Sequence, residues 1–371
     1  MNSNTAVPTG QGATVNTSTH TNGAQEATPE RISALSEVLS SRLNSSIAEI
    51  QSINLQTKLL SFNAQIEAAR AGAAGAAFGV VASEMNNLSS TTTTVCEKLR
   101  SDMLEPIQQL QSISTTLATN VRGTRLADLA LVNIDLIDRN LYERSCDVRW
   151  WATDAALVKA AATRDAADCK YAGDRMAVIL GAYTVYADLV LCDLDGNVLA
   201  NGKPDEHRIR RSFAEQEWFM GAMETRSGEQ FAFQTVHRMP EMNDAYVLVY
   251  SCAVRKDGDQ HAAPIGVLGI IFKWESLAQT IMKNTPVSAE EKPLTRCLIV
   301  ADDGTILADS QDQILGAMPE FPERGELFQA RKSFRSVKIQ RDDALVAHAL
   351  SPGFETYATG WHSVIIQQRK P

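Results

Sequence analysis

Six histidines (20, 207, 237, 261, 348 and 362) and six cysteines (96, 146, 169, 192, 252 and 297) are the residues here best suited to metal binding or nucleophilic catalysis. Their spacing favours neither. There is no C-x-x-C pair, H-E-x-x-H helix, glycine-rich phosphate loop or nucleophile elbow. The histidines are scattered without a cluster. Asp193 with Asp195, and Asp302 with Asp303, sit at Asp-Gly turns, where carboxylates cap backbone rather than share a proton. His237 beside Arg238 reads as the end of a surface strand. The sequence therefore predicts no enzyme, no cofactor and no metal site.

The 371 residues carry 35 Lys+Arg against 44 Asp+Glu, a net charge of −9 that is a poor match for a nucleic acid backbone. The strongest apolar run, Ile265 to Phe272, is far short of the ~20 residues of a membrane helix. The start has neither a basic n-region nor an apolar h-region, so scattered thiols predict a reduced, cytoplasmic protein with no membrane span.

Aromatic residues divide the chain. Of 23 Phe, Trp and Tyr, only Phe62 and Phe78 precede residue 140, which predicts thin helix-on-helix packing first and a globular part after it. Residues 1–29, rich in Thr, Asn, Ser and Gly, read as a disordered tail. Helix is expected from about Thr28, with Pro29 at its first position. Apolar residues recur as Ile32, Leu35, Leu39, Leu43, Ile47, Ile50 and Ile53, then Leu60 and Ala64. They return as Phe78, Val81, Met85, Leu88, Thr92, Val95, Leu99, Met103, Ile107 and Leu110. Spacings of three and four over this length argue for a coiled-coil seam.

Between the arms lies Ala69-Arg-Ala-Gly-Ala-Ala-Gly75, where Gly72 and Gly75 can take the left-handed conformation that closes a helix. If Ile66 faces Phe78, facing residue numbers total about 144. Runs of 4-4-4 spacing at Leu35–Ile47 and Val95–Ile107 then mirror each other, as an antiparallel hairpin requires. Pro106 should kink the returning arm, and the Ser89–Thr94 run is a poor helix former. A lone hairpin buries little, so dimers or higher oligomers are expected. On periodicity alone it is an oligomerisation stalk.

The segment Ile53-Asn-Leu-Gln-Thr-Lys-Leu-Leu-Ser-Phe-Asn-Ala-Gln-Ile-Glu-Ala-Ala-Arg-Ala-Gly72, followed by Phe78-Gly-Val-Val-Ala-Ser-Glu-Met-Asn-Asn-Leu88, resembles the signalling tip of methyl-accepting chemotaxis receptors. The resemblance implies a homodimer or trimer of dimers that docks a coupling protein and a histidine kinase. Leu55, Leu59 and Phe62 match the family's apolar trimer contacts, Glu67 and Arg70 its ion-pairing tip residues, and Val80 an apolar contact to the coupling protein or kinase. Ala73, Ala74, Gly75, Ala76 and Ala77 stand where the family usually carries an acid or amide, a glycine and an arginine. The arms stop short of the family's methylation region, and no aromatic pentapeptide closes the chain at Arg369-Lys-Pro371, which implies no methylation-based adaptation of its own.

Beyond the hairpin, a helical pattern runs from Thr124 to about Ala162. An internal repeat follows: Leu189-Val-Leu-Cys-Asp-Leu-Asp-Gly-Asn-Val-Leu-Ala-Asn201 is echoed by Leu298-Ile-Val-Ala-Asp-Asp-Gly-Thr-Ile-Leu-Ala-Asp309. Each reads as strand, Asp-Gly turn, strand, so two similar α+β lobes are expected. Strands are expected at 186–193, 229–237, 245–255 and 265–273 in the first lobe, and at 296–302, 305–309, 334–340, 344–350 and 361–367 in the second.

The stretches Asn140–Asp154, Glu217-Trp-Phe219, Gly266–Phe272, Ser351–Tyr357 and Gly360-Trp361 resemble a double Cache domain, a tandem PAS-like sensor. The resemblance implies a small-molecule ligand in the first lobe, with Trp218 and Phe219 as pocket aromatics. The amino-acid-binding branch would carry Arg at Gln216, Tyr at Arg211 and an acid near Ile271. Without that acid an α-ammonium group lacks a partner, so Arg211 and Lys273 point instead to a carboxylate ligand. The plainer reading makes Trp218 and Phe219 core residues and lets Lys273 snorkel to solvent.

The expected fold class is mixed: an antiparallel coiled-coil hairpin, then an α+β tandem PAS-like domain on a long helix. The expected divisions are a tail (1–29), the hairpin (30–123, tip 53–88), a connecting helix (124–168) and two Cache lobes (169–288 and 289–371). The expected function is a cytoplasmic chemoreceptor-like sensor whose tip modulates a kinase complex. Its rival is an oligomeric Cache ligand-binding protein whose hairpin only oligomerises or competes with receptors.

Overall fold

A computed structural model describes residues 28–207 and 209–368. Most of the expected tail, and the chain end at 369–371, lie outside the described residues. The described residues divide into two compact units that part between Asn120 and Val121.

The first unit is a helical hairpin. Helix α1 (Pro29–Arg70) starts with Pro29 in its first turn and Thr28 Oγ1 accepting the Arg31 amide at 3.3 Å. A 3-10 turn, Gly72–Gly75, leads into α2 (Ala76–Trp151). Asn54 ties the arms together: its Nδ2 donates to Ser89 O and to Thr93 Oγ1, each at 2.8 Å, and the Ser89 hydroxyl donates to Asn54 O at 3.3 Å. Near the open end the Ser114 hydroxyl donates to Pro29 O. In both pairings the residue numbers total 143, one residue from the expected register.

The buried positions obey the same rule. Ser36 stands at the level of Ile107, Ile47 at that of Cys96, and Ser61 at that of Ala82. Eleven residues separate Ser36 from Ile47, and eleven separate Cys96 from Ile107, so the expected stutter occurs at one level in both arms.

What fills the seam corrects the expectation. Leu35, Ile53, Leu60, Phe78, Leu88 and Val95 are 58–74% exposed, and of the expected stripe only Ile47 and Ile107 are fully buried among the described residues. Small groups, chiefly Ser, Ala and Gly, lie between the arms because they permit close approach. The large apolar residues flank them. Gly75 is likewise not left-handed: a Cβ there would lie 2.3 Å from Ala68 O, so it is the close approach that requires glycine. Gly72 has φ +58°, as the turn needs. Helix α2 continues through Pro106. It also absorbs the Ser/Thr run, each hydroxyl from Ser90 to Thr94 donating to the carbonyl four residues back at 2.8–3.2 Å.

In the second unit the helix expected over 124–168 breaks. It stops at Trp151, the Thr153 hydroxyl donating to Trp150 O at 2.7 Å, and Asp154 caps α3 (Ala155–Thr163) by accepting the Ala156 amide at 2.9 Å. Helix α4 (Ala166–Ala182) follows. The apolar stripe passes through the break, which is why periodicity alone misses it.

The first lobe holds β1 (Tyr186–Cys192), β2 (Val198–Asn201), α5 (Glu217–Met223), β3 (Ala232–Met239), β4 (Ala245–Arg255), β5 (Pro264–Lys273) and α6 (Trp274–Lys283). The second holds β6 (Thr295–Val300), β7 (Ile306–Asp309), α7 (Arg324–Gln329), β8 (Lys332–Ile339), β9 (Asp342–Leu350) and β10 (His362–Gln368). The sheets are antiparallel and share one topology, β2-β1-β5-β4-β3 and β7-β6-β10-β9-β8. Gly196 and Gly304 take φ +81° and +90° in the equivalent turns.

The equivalence reaches side chains. In the first lobe fully buried Asp188 accepts from Asn201 Nδ2 at 2.8 Å and from the Gly202 and Lys203 amides. At the matching positions of the second lobe Arg296 donates to fully buried Asp309, which also accepts the Gln311 and Gln313 amides. Each buried carboxylate pins the loop after its hairpin. Strand alternation sends Leu189 and Leu191 into a core shared with α2, where Ile134, Ile137 and Leu141 are fully buried. Val190 and Cys192 point to a separate core under α5. The second sheet has its own outer core under α7.

Candidate functional site

The hairpin tip presents the expected contact residues to solvent. Leu55, Leu59, Phe62 and Val80 are 43–65% exposed. The first three share a helix face by their i, i+4, i+7 spacing, and Val80 stands at the register level next to Phe62. Arg70 Nη1 donates to Glu67 Oε1 at 2.9 Å, both side chains being largely exposed. A pair so placed contributes little to folding. Apolar knobs ringed by such charges suit a small, reversible interface.

In the first lobe Trp218 and Phe219 are buried on α5, with Phe213 packed 5.2 Å from Trp218, ring centre to ring centre. The Ser251 hydroxyl donates to Trp218 O at 2.6 Å. Gly269 on β5 makes room for the indole, since a Cβ there would lie 2.8 Å from it. Trp218 Nε1 is buried without a protein partner. Gln216 is half-buried at the start of α5. Arg211 and Lys273 are exposed, the Lys273 ammonium donating to Thr184 O at 3.2 Å.

Two residues absent from the sequence reading border this cluster. Arg210 lies 5.4 Å over the Phe213 ring and pairs with Glu241, whose other oxygen, Oε2, is buried without a partner. The available signal was Phe213, five residues before Trp218. A groove of about 980 Å³ lies elsewhere in this lobe, between α4 and the segment 199–206, where Lys170 pairs with Asp174 and Lys203 with Glu206. None of the expected ligand residues lines it.

The second lobe corrects the view of scattered histidines: His348 Nε2 and His362 Nδ1 are 2.8 Å apart, both buried, and His362 stacks on Phe328 at 4.3 Å. Asp302, expected only to serve a turn, lies 3.6 Å from His362 Nε2. Pairing of β9 with β10 joins residues fourteen apart in sequence, which spacing did not reveal. No group of three or more His, Cys, Asp or Glu among the described residues could hold a metal ion. All six thiols are free. No helix of the described residues is long and apolar enough to cross a membrane.

Comparison with known proteins bears on both units. Residues 8–134 match the family model "Methyl-accepting chemotaxis protein (MCP) signalling domain". Methyl-accepting chemotaxis protein McpA of Pseudomonas putida is 34% identical over 135 residues, covering 28% of this chain and 21% of that protein. Methyl-accepting chemotaxis protein IV of Escherichia coli is 31% identical over 121 residues, covering 33% of this chain and 21% of that protein. The chain thus spans about a fifth of the length of these curated relatives.

Among solved structures, the ligand-binding domain of the Campylobacter jejuni chemoreceptor Tlp3 in complex with 4-methylisoleucine superposes with a TM-score of 0.53 at 17% identity. The match covers 68% of this chain and 94% of that one. A second structure of that sensory domain gives 0.51 at 17% identity, over 67% and 94%. Residues 8–134 thus resemble the signalling domain of methyl-accepting chemotaxis proteins, and the second unit has the Cache-type fold of chemoreceptor ligand-binding domains.

Proposed function

We propose that this chemoreceptor-like protein senses a small ligand in its first Cache lobe and that its hairpin tip modulates a histidine kinase and coupling-protein complex in the cytoplasm. The observation that carries the reading is the tip: Glu67 and Arg70 pair in solvent beside the exposed Leu55, Leu59, Phe62 and Val80. Such a surface has no folding role to explain it. The large apolar side chains left exposed along both arms support a second copy of the hairpin packing against the first, as a homodimer or trimer of dimers.

The Trp218–Phe219–Phe213 cluster is the proposed ligand site, its unpartnered indole N–H being the donor that a ligand would meet. Gln216 borders it, and Arg211 and Lys273 are the cations proposed to receive a carboxylate. Ligand binding acts on the tip only if its affinity differs between two states of the helical region.

The second reading keeps the Cache sensor and makes the hairpin an oligomerisation device or a competitor for receptors. The exposed apolar flanks favour it as much as the first. Co-sedimentation of the purified protein with coupling protein and kinase, with autophosphorylation followed in parallel, separates them. Assembly with altered kinase activity is expected; an oligomer that leaves both partners in the supernatant would establish the rival.

A further inference from the structure

Among the described residues the strands at sheet edges are β2 and β3 in the first lobe and β7 and β8 in the second. The first three named here are protected. β2 is four residues long and is bonded by the chain that follows it, Val198 N donating to Arg211 O at 3.0 Å. β7, also four residues, is covered in the same way: Ile306 N donates to Gly316 O and Leu315 N to Ile306 O, each at 2.8 Å. β3 is bulged against β4 between Gln234 and His237. Short edges, covering segments and bulges are the means by which a sheet avoids pairing with another chain.

β8 has none of these. Its eight residues, Lys332–Ile339, pair with β9 in unbroken register. The Leu350 amide donates to Arg331 O at 2.8 Å, and ladder bonds alternate along an antiparallel pair, so the odd-numbered residues from 331 to 339 bond to β9. The N–H and C=O groups of Lys332, Phe334, Ser336 and Lys338 therefore point away from the sheet. No backbone group among the described residues pairs with them, and Phe334 O accepts from Arg335 Nη1 at 3.0 Å.

Charge is what guards this edge. Lys332 pairs with Asp128 and Lys338 with Asp343, but Arg331, Arg335 and Arg341 are exposed and have no carboxylate partner among the described residues. Strand alternation puts Arg331 and Arg335 on one face, with Ser333, whose hydroxyl donates to Leu327 O on α7. These cations also decide what can dock. A second copy of β8 would set arginine against arginine, and like charges opposed across strands are destabilising. A strand with acids at alternate positions meets them with the opposite sign.

We infer that the β8 edge is a docking site for an extended acidic segment of a partner protein, which joins the second sheet as a sixth strand. Backbone bonds at the even-numbered residues hold it, and its acids pair with Arg331 and Arg335. The assignment depends on neither the Trp218 cluster nor the hairpin tip.

The test uses the full chain and a fluorescent synthetic peptide of alternating Glu and Thr, with a peptide of alternating Lys and Thr beside it. The Glu peptide should bind by anisotropy, more weakly as salt is added, and the Lys peptide should not. Binding should slow hydrogen exchange within 332–338. Ser336→Pro deletes an outward N–H and leaves the bonds to β9, so it should abolish binding with little change in Tm. Arg335→Glu should weaken binding of the Glu peptide about tenfold, and it keeps the test decisive if the proline variant does not fold. No binding of the Glu peptide, equal binding of both peptides, or full binding by Arg335→Glu or by folded Ser336→Pro would overturn the assignment.

Discussion

His348 and His362 face each other across β9 and β10 with Nε2 and Nδ1 2.8 Å apart, and His362 Nε2 lies 3.6 Å from Asp302 Oδ1. Electrostatics selects the tautomers. If His362 Nδ1 donated, its bare Nε2 would confront the Asp302 carboxylate. Donation from His348 Nε2 instead leaves His362 Nε2–H pointing at Asp302, and His348 Nδ1, which has no partner, as a lone-pair acceptor among apolar groups. Arg324 lies 5.9 Å from the centre of the Phe328 ring and is paired with Glu320.

This arrangement makes the second lobe acid-sensitive. Burial, then His362, pushes His348 down to about 3; burial also lowers His362, although Asp302 opposes it. The folded His348 therefore stays neutral below pH 6.5, where its unfolded counterpart takes a proton. Its contribution is intact above 6.5 and is lost as pH falls toward 3, by about 1.4 kcal/mol per pH unit. The unfolding free energy from urea titrations should fall further between pH 7 and pH 5 for the wild type than for His348→Leu, by about 2 kcal/mol. Equal losses in both proteins would assign the acid sensitivity to other groups.

Asp138 on α2 should act as a clamp. It is fully buried and accepts from the Ser351 hydroxyl at 2.6 Å, the Gly353 amide at 2.9 Å and the Thr359 hydroxyl at 2.8 Å. Asp138→Ala leaves these donors unpaired, at a cost of about 2–4 kcal/mol. Hydrogen exchange should quicken first in 351–361. Uniform acceleration over both lobes would mean that the residue supports the fold generally rather than this loop.

Much of the fold was legible because its signals are local. Strand β4 was expected at 245–255 and occupies Ala245–Arg255, since its apolar run ends in turn residues at both sides. The hairpin register was legible because a stutter must fall at one level in both arms. The composition of the seam was not: a stripe of Leu and Val looks the same whether it meets its own arm or a flank left bare. Asp188 inside the apolar strand Tyr186–Cys192, and Asp138 within α2, went unread because the side chains that bond them, Asn201 and Thr359, lie 13 and 221 residues away. The histidine pair depended on strand pairing in the same way.

Gly75 and Gly72 should respond unequally to substitution. Gly72→Ala meets no atom within 4 Å and bears only the cost of a positive φ, about 1–2 kcal/mol. Gly75→Ala drives a methyl to 2.3 Å from Ala68 O and must part the arms. The larger loss of Tm is expected at Gly75. The reverse order would show that the turn, rather than the close approach, limits the hairpin.

Trp218 offers a way to separate core from pocket. Trp218→Ala removes a fully buried ring and should cost about 3–5 kcal/mol whichever reading holds. Trp218→Phe keeps most of the packing and deletes the unpartnered N–H. If a ligand accepts from that group, affinity should fall about tenfold with little change in Tm, as calorimetry with ligands found by thermal-shift screening would show. Unchanged affinity would leave Trp218 a core residue.

At the tip, substitution should divide stability from signalling. The Glu67–Arg70 pair spans one helical turn in solvent, so neither Glu67→Ala nor Arg70→Ala should shift Tm measurably. Either should remove the effect on kinase autophosphorylation, because a charge in a small interface sets register and specificity more than affinity. The exchanged pair, Glu67→Arg with Arg70→Glu, keeps the ion pair but reverses what a partner meets. Full kinase control by that double variant would show that the pair serves only its own helix, and the contact would then have to rest on Leu55, Leu59, Phe62 and Val80.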